Sequence, residues 1–218
     1  MFLERVTSAI APPLCVACGG HAGEGWCLCL GCRVSLPWLP SVPNELNGVT
    51  LWAPLAYEGP AREMVRALKF RGALRVADTM AAHIVANAPK DFFGAATLVP
   101  VPLHPSRQRR RGFNQAQLLA EALGSRLDVP VDTCLRRSGS RATQVGRGRA
   151  QRLAGPEFEV ELARADAPRS CIDGLPPRIV LVDDVVTTGA TLARCAEALG
   201  PHADGAPTAV AYARTPSR

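Results

Sequence analysis

The run Ile179-Val180-Leu181-Val182-Asp183-Asp184-Val185-Val186-Thr187-Thr188-Gly189-Ala190-Thr191 constrains this chain more than any other part of it. Its β-branched apolar start reads as a strand buried on both faces, the composition of a parallel-sheet interior. The strand delivers two adjacent carboxylates, passes small hydroxyl residues around one glycine, and leads into a helix expected from about Thr191 to Leu199. At such a junction the free backbone N–H groups and the positive end of the helix dipole favour an anion. Gly189 lets a ligand approach the backbone, and Thr187, Thr188 and Thr191 add hydroxyl donors. The pattern is that of a phosphate cradle, with Ala190 as its remaining small residue. The carboxylates would repel the anion, so they are placed for sugar hydroxyls or for Mg²⁺ carried with a phosphorylated ligand. No Lys follows the glycine, which excludes a Walker loop and the ATPase reading that goes with it.

Other segments alternate between strand and helix character. Val49 to Tyr57 and Thr208 to Ala213 have strand composition, and Ala96 to Pro102 is a short apolar run that stops at prolines, as a buried strand emerging at a sheet's edge would. Helices are expected over Ala61 to Phe70, Arg75 to Ala88, and Asn114 to Leu127, the last with Asn114 as its N-cap. Arg136 to Gly155 is rich in Arg, Gly, Ser and Gln without apolar period and reads as a loop, a candidate lid. This alternation implies an α/β domain whose mostly parallel central sheet is flanked by helices, with the ligand site at the carboxyl ends of the strands.

Five of the eight cysteines, Cys15, Cys18, Cys27, Cys29 and Cys32, fall in the first 32 residues, and a proline-rich stretch from Leu36 to Pro43 follows them. The division expected is a small cysteine module and linker over residues 1–45, then the α/β domain over 46–218. The apolar N-terminal stretch meets Pro12-Pro13 before any small-residue cleavage site, and no run reaches the ~18 apolar residues of a bilayer-spanning helix, so a cytoplasmic chain without stable membrane insertion is expected. In a reducing compartment clustered thiols point to metal rather than disulfides. The pairs Cys15-x2-Cys18 and Cys29-x2-Cys32 suit tetrahedral Zn²⁺ in a closed structural site, with Cys27 and His21 as competing ligands. Cys134, Cys171 and Cys195 have no motif around them and read as small core residues.

Charge is concentrated. Between His104 and Pro156 there are eleven Arg against three acids, whereas the whole chain carries only +6. Such a segment suits phosphates or a nucleic-acid backbone. Aromatic residues, on which single strands would stack, are only 5% of the chain.

The segment from Val180 to Thr191 closely resembles the 5-phosphoribosyl-1-pyrophosphate (PRPP) motif of type I phosphoribosyltransferases. The resemblance implies that Asp183 and Asp184 contact ribose hydroxyls and that Thr187, Thr188, Gly189, Ala190 and Thr191 hold the 5-phosphate. It also implies a pyrophosphate loop around Arg107, Arg111 and Gly112, where an Arg fork suits bidentate phosphate contact. Purine-salvage members often carry an acid at the position of Thr187, and its absence weakens a purine substrate.

The wider set of landmarks resembles the ComF proteins of natural competence. These are the two Cys pairs, Leu68-Lys69-Phe70-x-Gly72, Val99-Pro100-Val101-Pro102-Leu103, Arg111-Gly112-Phe113-Asn114-Gln115-Ala116, Gln144, and the cradle itself. One departure is the stretch Arg149-Ala150-Gln151-Arg152 followed by Gly155-Pro156-Glu157-Phe158. The resemblance implies a phosphoribosyltransferase-like core with a zinc module, supporting uptake or processing of single-stranded DNA beside helicase and DNA-processing partners. An active Mg²⁺-dependent phosphoribosyltransferase with an unknown acceptor base, and a non-catalytic PRPP sensor, are the alternatives.

Overall fold

The computed structural model describes residues 13–71, 74–138, 157–160, 178–203 and 205–216. In chain order the elements are α1 (Leu30–Val34), β1 (Asn44–Leu46), β2 (Val49–Trp52), β3 (Leu55–Ala56), α2 (Gly59–Arg71), α3 (Leu74–Asn87), β4 (Ala96–Pro100), α4 (Pro105–Arg111), α5 (Gln115–Leu127), β5 (Leu135–Ser138), β6 (Glu157–Val160), β7 (Arg178–Val186), α6 (Ala190–Leu199), a 3₁₀ turn (Gly200–His202) and β8 (Thr208–Arg214).

Six strands form one sheet in the order β1-β2-β8-β7-β4, with β3 also on β8. Every pairing is parallel except that of β1 with β2. The α/β class and mostly parallel sheet expected from the sequence are therefore present. The central strands bury both faces. On β7, Val180 and Val182 join a cluster with Met64, Leu68, Met80, Ile84, Leu119 and Leu123 from α2, α3 and α5. Ile179 and Leu181 instead join Leu192, Cys195 and Leu199 of α6. This two-residue alternation between helical layers is what the strand period dictates.

The cysteine region packs on the first of these clusters: Cys15, Cys27, Leu28 and Leu36 are buried with Trp52, Met64 and Met80. Asn114 caps α5 as expected, its Oδ1 accepting from Ala116 N at 3.1 Å while its amide donates to Val101 O at 3.0 Å.

Three expectations change. The basic stretch around Arg107, Arg111 and Gly112 is not a loop but the short helix α4. Pro105 occupies its first turn, His104 Nδ1 accepts from Ser106 N, and Gly112 ends it in the left-handed region at φ +83°. Arg136 and Arg137, placed in a loop by composition, lie in β5, which pairs antiparallel with β6 so that Arg136 faces Glu159. Burial of Leu135 in the α6-side cluster, where Phe158 and Val160 pack against it, accounts for this ribbon. The rest of the lid candidate, residues 139–155 with Gln144, lies outside the described residues, as do Gly72 and Cys171. Finally, the presumed linker ends in β1, joined to β2 by an Asn47-Gly48 turn with both residues at positive φ (+52° and +76°), the geometry of a tight hairpin.

Candidate functional site

The strand β7 runs through both carboxylates to Val186 before the chain turns. Successive strand residues point to opposite faces, and the two acids have different surroundings. Asp184 is 2% exposed. Its Oδ2 lies 2.7 Å from Lys69 Nζ on α2, and its Oδ1 accepts from Gln115 Nε2 on α5 at 3.3 Å. Arg111, at the end of α4, donates to Gln115 Oε1, which extends the network to the basic helix. Asp183 is half-buried, and its charge is felt by the Cys195 thiol of α6, which burial pushes up in pKa with Asp183 adding to the rise. The Asp183 Oδ1 accepts from Asp184 N at 2.8 Å. Burial, and then repulsion from Asp184, hold the Asp183 carboxyl well above the usual range.

Beyond β7, Thr187 and Thr188 are exposed and Gly189 is buried. Gly189 adopts φ +74° as the N-cap of α6, and Thr188 Oγ1 accepts from Ala190 N at 3.5 Å at that end. A Cβ there would lie 2.6 Å from Leu46 Cδ2, so the β1–β2 hairpin sits tightly against the turn. Asn47 Nδ2 of the same hairpin donates to Thr188 O at 2.6 Å. The hairpin thus fixes the turn's backbone from one side, while Thr187 and Thr188 remain exposed.

Lys69 and Gln115 were visible in the sequence only as landmarks without a role. No local signal could have assigned one, because each meets Asp184 across many residues of chain. Arg111 reaches the Asp184 network, whereas among the described residues no hydrogen bond joins Arg107 or Gly112 to it. Burial first, and then the charge of Arg107, disfavour the charged form of Arg137 on β5. Arg107, Arg109, Arg110 and Arg136 are exposed, giving a basic surface beside the carboxyl end of β4.

A second cluster is made by Cys15, Cys18, Cys29 and Cys32, whose sulfurs all lie within 4.8 Å of one another. Cys18 Sγ and Cys29 Sγ are 3.7 Å apart. Four sulfurs each ~2.3 Å from a common tetrahedral centre would be about 3.8 Å apart, so these four side chains could hold a metal ion and are compatible with structural zinc. Two short knuckles create the arrangement. In the first, Cys15 N donates to Gly20 O and Gly19 N to Cys15 O; in the second, Arg33 N donates to Cys29 O as α1 begins. Neither competing ligand is part of this cluster: Cys27 Sγ instead donates to Arg75 O at 3.3 Å, and His21 is not among the side chains brought together. Burial pushes the Cys15 thiol up, but N–H groups of Cys29, Cys18 and Ala17 outweigh it and bring it down to about 6. Cys32 is raised by burial and by the neighbouring thiols. Cys134 and Cys195 are buried, as expected of core residues.

Among the described residues, no helix is long and apolar enough to cross a membrane. No protein-family model matches the chain. It is similar to the DNA utilization protein YhgH of Salmonella typhi, 31% identical over 196 residues that cover 85% of this chain and 77% of that protein. It is similar to Competence protein ComFC of Bacillus subtilis, 29% identical over 197 residues, or 88% of this chain and 73% of the relative. With Competence protein F of Haemophilus influenzae it shares 38% identity over 99 residues, which cover 44% of this chain and only 40% of that protein.

Proposed function

The chain belongs to the ComF family of competence and DNA utilization proteins, and from that premise we propose that it binds a phosphorylated ribose ligand, PRPP or a relative of it, and supports the uptake or processing of single-stranded DNA in natural transformation. The observation that carries the ligand reading is the buried Asp184 held between Lys69 and Gln115, at the strand end that turns through Gly189 into α6. The Lys69 ammonium offsets the carboxylate's charge, so a phosphate approaching the turn meets less repulsion than two bare acids would offer.

In this reading the fold is that of a type I phosphoribosyltransferase, residues 46–218 forming that domain and residues 1–45 its zinc module. Thr187, Thr188, Gly189, Ala190 and Thr191 hold the 5-phosphate through backbone N–H groups and hydroxyls. Asp183 and Asp184 present acceptors to the ribose, and Arg111 with Arg107 faces the diphosphate. Asp184 Oδ1 accepts from Gln115, whereas Oδ2 is ion-paired with Lys69 but has no hydrogen-bond partner among the described residues, so Oδ2 is the oxygen this carboxylate would offer to a ribose hydroxyl, and Mg²⁺ would reach it only in competition with the Lys69 ammonium. Zn²⁺ at Cys15, Cys18, Cys29 and Cys32 would have a structural role, locking the two knuckles together.

The DNA half of the reading rests on the relatives' names and on the exposed arginines of α4 and β5. Basic side chains neutralising phosphates release counterions, so binding of a labelled single-stranded oligonucleotide should weaken steeply as salt rises. Absence of binding, or binding indifferent to salt, would count against it. Titration with PRPP and Mg²⁺ tests the ligand half, and release of pyrophosphate in the presence of nucleobases would separate an active transferase from a sensor.

A further inference from the structure

Phe70 follows Lys69 at the end of α2 and is 73% exposed, an unusual position for a phenyl ring. Its neighbours are those of the Asp184 network. Lys69, adjacent in the chain, pairs with Asp184, and the Arg111 guanidinium lies 5.8 Å from the ring centre while Arg111 donates to Gln115. The ring is therefore tied to the carboxylate cluster by two routes, and its face remains open to solvent. An aromatic face flanked by a guanidinium attracts a planar heteroaromatic ring by stacking and cation–π contact.

We propose that Phe70 is the stacking platform for the base of a nucleoside 5′-monophosphate whose ribose and phosphate occupy the Asp183–Thr191 segment. The inference rests on the reading of that segment as a ribose-phosphate site and names the ligand class it takes. Stacking engages the π face that every base has, so the platform is tolerant of base identity.

Calorimetric titrations of adenosine 5′-monophosphate, cytidine 5′-monophosphate and ribose 5-phosphate into the full chain, Phe70→Ala and Phe70→Trp test the proposal. Both nucleotides should bind the unaltered chain more tightly than ribose 5-phosphate. Phe70→Ala should weaken both nucleotides by about tenfold or more and leave ribose 5-phosphate unchanged, and Phe70→Trp should retain nucleotide binding. Equal affinity of the unaltered chain for nucleotides and ribose 5-phosphate would overturn the proposal. So would a Phe70→Ala effect of equal size on all three ligands, or no effect at all. If none of the three binds the unaltered chain, the ribose-phosphate reading itself fails and the platform with it; persistent ribose 5-phosphate binding distinguishes failure of the platform alone.

Discussion

Lys69 Nζ lies 2.7 Å from Asp184 Oδ2, joining a side chain that is 25% exposed to one that is 3% exposed. A carboxylate this deep in the sheet needs a compensating partner, and the ammonium arrives from a helix rather than from β7 itself. Removing one member of such a pair leaves an uncompensated charge. Lys69→Met is expected to lower unfolding stability by about 3 kcal/mol, and Lys69→Met with Asp184→Asn should recover part of that loss. Urea unfolding of the single and double variants checks it; additive losses would mean that the pair does not couple.

Asp183 carries the opposite consequence. Its carboxyl is raised in the folded protein, by burial first and by Asp184 second. The folded state therefore holds a proton where the unfolded chain has released it. The associated stability is fully present below the unfolded carboxylate range and is lost as pH rises through the elevated folded value. Asp183→Asn should melt higher than the unaltered chain at neutral pH, with the gap closing on acidification. Thermal melts from about pH 4 to 8 read this directly.

Gly189 combines φ +74° with a neighbour, Leu46 Cδ2, only 2.6 Å from where a Cβ would stand. Gly189→Ala should cost about 1–2 kcal/mol for the left-handed backbone alone, plus whatever Leu46 must yield. Adding Leu46→Ala should relieve the clash without removing the backbone cost. Unfolding curves of the two variants separate these contributions, and weakened ligand binding is expected in both.

The four-cysteine cluster predicts about one zinc per chain, with Cys18→Ser lowering the content and Cys27→Ser leaving it unchanged. Metal binding of this kind supplies on the order of 10 kcal/mol of folding free energy, so chelation should melt the knuckles and expose apolar surface at Leu28 and Leu36. Metal analysis with thiol titration measures it. Protein purified free of zinc, with every thiol titratable, would refute the assignment.

The legible parts were those whose signal is local. β7, the turn at Gly189 and α6 follow from a β-branched run, one glycine and an apolar helical period, and Asn114 is a side-chain cap three residues after the basic stretch. The choice of Cys15, Cys18, Cys29 and Cys32 over Cys27 rested on spacing, and the structure supports it by bringing those four sulfurs together while Cys27 donates to Arg75 O. Other features had signals that were passed over: Asn47-Gly48 marks the β1–β2 hairpin, and Pro105 with Gly112 brackets α4. The Lys69 and Gln115 contacts to Asp184 had none, since a charge pair between distant segments is set by packing of α2 and α5 on the sheet. The open face of Phe70 was equally hidden, because a helix residue's exposure depends on what the fold lays beside it.

The central claim is that the Asp183–Thr191 segment is a working ribose-phosphate site. It is tested most directly by calorimetric titration of PRPP with Mg²⁺ into the chain and into the Asp183→Asn, Asp184→Asn variant, each first shown to unfold cooperatively. Saturable binding by the unaltered chain that is lost in the variant is the predicted result. No binding by the unaltered chain, or equal binding by both, would contradict the account.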